Sequence, residues 1–245
     1  MSAGTRKWLL LGPGLLAVVL LAGLGVWQVQ RLGWKNALIA RVEAGLAAQP
    51  VAAPGPEAWP EVTFDTAEYR RITVHGHYLP QKDILVKAVT VRGSGFWVMA
   101  PFETQDGWRL FVNRGFVPQD RQIPAGQPPA GQIPAEWPRP DGSVEVSGLL
   151  RLTQPDGAFL RSNDPAGGRW FSRDTAAMAQ SLGLDEVAPY FLDADASSEA
   201  DSLPIGGLTV VSFPNNHLQY ALTWFALSGG LAFLLFWAFR KGGEE

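Results

Sequence analysis

The chain has 245 residues, 18% of them charged and 47% hydrophobic, which suits one sizeable domain with apolar additions and is too apolar for a disordered protein. It contains no cysteine, so disulfides, thiolate metal sites, iron–sulfur ligation and cysteine nucleophiles are excluded. The net charge of -3 conceals three unequal stretches: residues 1–41 carry +5, residues 42–217 carry -8 from 13 basic and 21 acidic side chains, and residues 218–245 are neutral. An acidic middle without a basic stripe argues against nucleic acid as a partner, because phosphate binding depends on clustered Lys and Arg.

In chain order, residues 1–7 are a short tail holding Arg6 and Lys7, and residues 8–30 a first transmembrane helix. The uncharged run from Trp8 to Trp27 is 20 residues long, about 30 Å as a helix and enough to span a bilayer. A rival reading makes residues 1–25 a cleaved signal peptide, for which Gly23-Leu24-Gly25 is a poor cleavage site. Residues 31–217 are expected to form one mainly β domain. It opens with an amphipathic helix over about 34–48, with Trp34, Leu38, Ile39 and Val42 on one face, stopped by Pro50 and followed by a stiff linker through Pro54, Pro56 and Pro60.

Strand-like stretches follow at Tyr69–Tyr78, Ile84–Val91, Phe96–Glu103, Trp108–Val112, Val144–Leu152 and Thr209–Phe213, bounded by Gly, Pro and Asp-Gly. Residues 123–142, with six prolines and three glycines, read as an extended surface loop. Asp174 is placed as the N-cap of a short helix reaching Leu182, and residues 193–201 as an acidic loop. Residues 218–239 form a second transmembrane helix rich in aromatic residues, and residues 240–245 a tail holding Arg240 and Lys241. The fold class is therefore an α+β membrane protein: two transmembrane helices flanking one mainly β domain with short helices.

The basic tails place both termini in the cytoplasm and the central domain in the periplasm. Arg31, Lys35 and Arg41 oppose that orientation but precede a long translocated domain. The shortness of the stretch before the first span, with no room for a transit peptide, favours a bacterial inner membrane.

Catalytic signatures are absent: there is no Gly-x-Ser-x-Gly elbow, no His-Glu-x-x-His and no phosphate-binding loop. His75 and His77 share one strand face and would suit a metal, but the same face reads as a plain polar face with Arg71 and Thr73, and a third ligand is not evident. His217 differs, because it follows Pro214-Asn215-Asn216 at the start of the second span, where an Asn N-cap puts it in the first helical turn. The positive end of the helix dipole disfavours imidazolium there, leaving a neutral ring able to coordinate iron. His217, Tyr220, Trp224, Leu227 and Leu231 follow helical spacing, giving either a face for haem or a lipid-facing stripe with a boundary histidine. Gln28, Gln30 and Arg31 end the first span on the same side. Arg31 would suit a haem propionate, or anchoring at lipid headgroups.

Three blocks carry a family resemblance. Leu24-Gly25-Val26-Trp27-Gln28-Val29-Gln30-Arg31-Leu32-Gly33-Trp34-Lys35, Val112-Asn113-Arg114-Gly115-Phe116-Val117-Pro118 and Pro214-Asn215-Asn216-His217-Leu218-Gln219-Tyr220-Ala221-Leu222-Thr223-Trp224-Phe225 resemble motifs of the surfeit-locus family of cytochrome c oxidase assembly factors. Weaker similarities at Arg71 to Tyr78, Gly148-Leu149-Leu150-Arg151, and Trp170 with Asp174 fall in the expected order. The Pro-rich 123–142 stretch and the 193–201 loop carry no motif.

The resemblance implies a non-enzymatic assembly factor that binds haem a and assists its insertion into oxidase subunit I. It makes His217 the axial ligand candidate for haem iron, with Trp27, Gln28 and Arg31 as second-tier cofactor-binding candidates and Trp27, Tyr220 and Trp224 as apolar walls between two clamping helices. The implied partners are cytochrome c oxidase subunit I and the lipid bilayer, with haem A synthase as a further candidate. Asn113, Arg114 and Gly115 are expected to close a strand end through a turn whose Gly permits positive φ, or else to form a contact surface for the oxidase. The alternative function is a haem-free, membrane-anchored chaperone for subunit I. A periplasmic hydrolase is a poor third, since no nucleophile or metal constellation accompanies it.

Overall fold

The computed structural model describes residues 3–241 apart from 81, 120–136, 138, 156, 158–160, 197–201 and 210–212; of residues 3–10 and 241 it describes the backbone alone. The chain divides into two compact units, Met1–Arg41 with Val211–Glu245, and Val42–Val210. Among the described residues the α-helices are α1 (Ala3–Ala47), α2 (Thr175–Leu182) and α3 (His217–Lys241), and a short 3-10 helix covers Pro56–Glu61. The strands are β1 (Val51–Ala52), β2 (Arg71–Tyr78), β3 (Ile84–Thr90), β4 (Gly93–Thr104), β5 (Arg109–Pro118), β6 (Val144–Leu152) and β7 (Val187–Ala194). Two apolar helices at the ends thus flank a β-rich domain, as the hydropathy pattern predicts.

The first unit is an antiparallel pair of helices. Both are long and apolar enough to cross a membrane. They meet through small or polar residues in matched order: the backbone at Gly14 lies against Leu235, and that at Gly25 against Phe225. Ser228 Oγ donates to Val18 O at 2.9 Å. Such small-residue faces let helix backbones approach without a hydrophobic driving force between them. The opposite faces carry Leu15, Leu16, Val19, Leu20, Leu222, Phe233 and Phe236, all exposed.

Helix α1 corrects one expectation. The first span and the amphipathic helix after it are not separate elements but one helix of 45 residues, about 67 Å long. A lone Gly33 costs a helix only about 1 kcal/mol, and no proline intervenes before Pro50, which biases its preceding residue away from helical geometry.

In the second unit five strands close into a barrel. β2 pairs with β6 and β6 with β7, both antiparallel; β7 pairs with β5 in parallel; β5 pairs with β4, and β4 returns to β2, again antiparallel. β2 changes partner at Gly76, which faces Val144 on β6 and Thr104 on β4. A side chain at Gly76 would lie 2.0 Å from Glu103 O, so only glycine permits the switch. β3 extends β4 outside this ring, and β1 makes a short parallel pair with β2.

The barrel interior is filled by Ile72, Val74, Phe102, Leu110, Val112, Leu150, Tyr190 and Leu192 from all five strands. A second cluster covers the outer face of β4, β5 and β7, where Met99, Phe111 and Phe191 meet Trp170 and Met178. β5 is buried on both faces, so Leu110-Phe111-Val112 and Phe116-Val117 read as apolar runs without alternation.

Strand β7 is an element that the sequence pattern did not show. Pro189 sits inside it, and a proline demotes a run to an edge or bulge. The β5–β7 register jumps there, from Arg109 opposite Val187 to Phe111 opposite Phe191, so the ladder skips the residue without an N–H. β4 and β5 also run further than expected. Most of the expected strand at 209–213 and of the 123–142 loop lies outside the described residues, and of the 193–201 stretch residues 193 and 194 belong to β7. α2 forms as predicted: Asp174 Oδ1 accepts from Ala177 N at 3.0 Å, and Gly183 closes the helix in the left-handed conformation.

Candidate functional site

His217 is the first residue of α3. The Asn216 carbonyl accepts the first helical bond, from Tyr220 N at 3.2 Å, which makes Asn216 the N-cap. Asn215 Nδ2 donates to Asn36 Oδ1 at 2.7 Å, tying the entrance of α3 to α1. The His217 ring lies half-buried, and its Nδ1 is 2.7 Å from Gln28 Oε1. A carbonyl oxygen only accepts, so Nδ1 carries the proton in this bond, and in the neutral ring Nε2 is the nitrogen with the free lone pair. Gln28 is only 8% exposed, although it lies in an apolar helix. Its amide is buried because the histidine supplies a partner.

The other sequence candidates separate into two groups. Trp27 and Tyr220 are 53% and 54% exposed, on the flank beside the Gln28–His217 bond, and Trp224 is partly buried two helical turns past His217. The face of α3 turned to α1 carries Ala221 and Ser228, buried at 2% and 7% exposure. The expected stripe therefore straddles the contact, with Tyr220 and Leu227 outside it. The helices touch directly at Gly25 and Phe225, two turns of α3 from the histidine. Arg31 stacks on the Trp34 ring at 4.2 Å, and Lys35 lies over Phe213 at 4.9 Å.

A histidine with Nδ1 engaged and Nε2 available is the donor arrangement used for metal ligation, and imidazole is the commonest protein ligand of haem iron. The residues present therefore fit a haem. Among the described residues no group of three or more His, Asp or Glu side chains could hold a bare metal ion. His75 instead lies 3.2 Å from Glu145 on the neighbouring strand.

The Asn113-Arg114-Gly115 block is not the turn expected at a strand end. It lies inside β5 as a bulge, where Trp97 faces Phe116 and Met99 faces Asn113, so that two residues oppose Val98 alone. Gly115 has φ of +133°, and a side chain there would meet the Ile205 carbonyl at 2.4 Å. The bulge receives the segment around Ile205, which exchanges two 2.9 Å backbone bonds with Phe116. The Arg114 side chain is 8% exposed and lies 3.9 Å from Asp83, which excludes it as an exposed docking residue.

Asp83 itself accepts from Arg139 Nε at 3.0 Å, and its Oδ1 has no hydrogen-bond partner among the described residues. Burial raises the Asp83 pKa from its ordinary value, against the pull of Arg139 and Arg114. Burial also pushes the nearby Tyr78 hydroxyl up to about 12.

Asp193, expected in an acidic loop, is a buried hub. Its carboxylate accepts from Asn113 Nδ2 at 2.7 Å, Arg151 Nη1 at 3.1 Å, Arg173 Nη1 at 3.2 Å and Thr209 Oγ1 at 2.8 Å. Glu68 binds the other side of Arg151 at 2.8 Å. The network is neutral, with two carboxylates and two guanidiniums, and it joins β5, β6, β7 and three connecting segments. The signal in the sequence is a charge inside each apolar run, Leu150-Arg151-Leu152 and Phe191-Leu192-Asp193, a pattern that solvated strands do not need.

The SURF1 family model matches residues 15–229. The chain is similar to Surfeit locus protein 1 of Mus musculus, 35% identical over 235 residues that cover 89% of this chain and 72% of the relative. It is equally similar to Surfeit locus protein 1 of Homo sapiens, 35% identical over 253 residues covering 96% and 78%. A SURF1-like protein of Drosophila melanogaster is 33% identical over 234 residues, covering 86% and 71%. The chain belongs to the SURF1 family, and a role in cytochrome c oxidase assembly follows from that membership.

Proposed function

We propose that this chain carries haem a to subunit I of the oxidase, with His217 as the axial ligand, within the assembly role that its family implies. One observation carries the reading: His217 opens α3 with Nδ1 bound to Gln28 and, among the described residues, no hydrogen bond to Nε2. Bound haem a would supply the iron that Nε2 ligates. Trp27 and Tyr220 offer exposed aromatic surface on the same flank, Trp224 continues it inward, and the Arg31 guanidinium is suited to a propionate. One protein ligand on an open flank holds a cargo that must leave again, and no enzymatic step is required.

The apolar end helices fit a protein spanning the bacterial inner membrane, with both termini cytoplasmic and the β domain in the periplasm. Arg6, Lys7, Arg240 and Lys241 in the short tails support that orientation. Subunit I is the recipient, and haem A synthase the source of the cargo.

The test is a visible absorption spectrum of detergent-purified protein from cells that also produce haem A synthase, beside its His217→Ala variant. A haem a spectrum in the wild type that disappears in the variant is the expected result. A colourless wild type would favour the haem-free chaperone, and equal retention by both proteins would remove His217 from the ligand role.

A further inference from the structure

Gln28 stands out because a buried amide in a helix facing lipid is costly unless it does something for its partner. Its partner is one ring nitrogen of the candidate ligand, and that contact crosses from α1 to α3. We infer that Gln28 is a positioning residue that selects the tautomer of His217 and so makes haem affinity depend on the pairing of the two helices. The inference rests on His217 being the ligand.

Neutral imidazole in water prefers the proton on Nε2, the nitrogen that must be bare to bind iron here. By accepting from Nδ1, Gln28 Oε1 holds the other tautomer in place, fixes the plane of the ring and raises the basicity of Nε2. His217 alone, at the end of α3, has no such partner on its own helix: Tyr220 and Ala221, one turn away, offer it no hydrogen bond, and the Asn216 carbonyl is spent on Tyr220 N. Drawing α3 away from α1 removes the acceptor, and the ring relaxes towards the tautomer that cannot ligate. Holding and releasing haem a thereby become two states of one helix contact, which suits a carrier whose recipient is another membrane protein.

The experiment uses the full-length protein in detergent, with nitrogen-15-labelled histidine, in four forms: wild type, Gln28→Leu, Gln28→Glu and His217→Ala. In the haem-free proteins, the nitrogen resonances of His217 report the tautomer directly. Haem a is then titrated in and followed by visible absorption, and the reduction potential of the bound form is measured.

Wild type is expected to carry its proton on Nδ1. Gln28→Leu is expected to shift it towards Nε2 and to weaken haem a binding by about 10- to 100-fold. Gln28→Glu, which restores an acceptor and a stronger one, should keep the wild-type tautomer, bind within a few-fold of wild type and lower the potential. A Gln28→Leu protein with unchanged tautomer, or with unchanged haem affinity, would overturn the inference while leaving the ligand role intact. If His217→Ala binds haem a as wild type does, the ligand reading itself falls, and the tautomer data show separately whether Gln28 orients the ring. Failure of Gln28→Glu to rescue a binding loss seen in Gln28→Leu would mark the glutamine as a packing residue and reject the positioning role.

Discussion

Asn113 Nδ2 donates to Asp193 Oδ1 at 2.7 Å, and Gly115 N donates back to Asn113 Oδ1 at 3.2 Å. One amide therefore ties β5 to β7 and shapes the bulge that follows it. Gly115 has no alternative, since its φ is positive and the Ile205 carbonyl occupies the place of a side chain. Gly115→Ala is expected to cost about 3 kcal/mol, combining backbone strain with overpacking. The loss should appear as a lowered unfolding midpoint and faster hydrogen exchange at Ile205 and Phe116. An unchanged midpoint would show that the segment around Ile205 is free to yield.

Asp193→Ala removes the carboxylate that Arg151 and Arg173 share, although both guanidiniums stay buried. Breaking a buried pair from one side costs about 3–5 kcal/mol. Asp193→Asn keeps acceptors for Thr209 and Arg151 and should lose roughly half as much. Thermal unfolding of the two variants in one detergent measures the difference. Equal losses would mean that charge, not hydrogen bonding, is what the hub provides.

Where one physical signal dominated, the sequence was easy to read. The two apolar runs, the Asp174 cap, and the alternation through Ile72 and Val74 each carry one dominant signal, and the elements appear where the pattern puts them. Pro189 hid β7, because the ladder tolerates it only through a register jump made by a distant strand. The division expected between the first span and the amphipathic helix at about 34–48 had no proline behind it, and the helix runs through. At the site, spacing placed Gln28 and His217 at the same end of the two spans, yet the bond between them is a matter of helix rotation. That rotation is set by Gly14, Gly25 and Ser228, residues that look unremarkable in a hydropathy plot. Asp193 was misplaced for the opposite reason: it was read with its acidic neighbours as a loop, whereas its partners lie on four other segments.

Asp83 yields a pH prediction. Its pKa in the folded protein lies above the ordinary value of 3.8, so the folded state binds its proton more tightly than the unfolded chain does. The stabilisation from this group is complete below the unfolded value and is lost as pH rises through the folded one. Relative to Asp83→Asn, which has no such proton, wild type should lose stability as pH climbs from about 3.8 towards neutrality. Denaturant midpoints of both proteins across that range provide the check. A wild type that gains on the variant as pH rises would mean that Arg139 and Arg114 outweigh the cost of burying the charge.

The helix pair can be tested through cysteine, because the chain has none of its own. Ser228 Oγ reaches Val18 O at 2.9 Å, so cysteines at 18 and 228 should crosslink under mild oxidation. Cysteines at 19 and 227, both on exposed faces at 66% and 52%, should not. Adding Gly25→Val pushes a side chain into the Phe225 ring, which an added Cβ would approach to 2.6 Å, and should lower the yield at 18 and 228. His217→Ala, at the end of the pair, should leave that yield unchanged. If haem a is held through a histidine oriented from the opposite helix, Gly25→Val should also weaken haem binding several-fold without touching a ligand. Loss of crosslinking with full haem affinity would separate the two and show that the helices pair for anchorage alone.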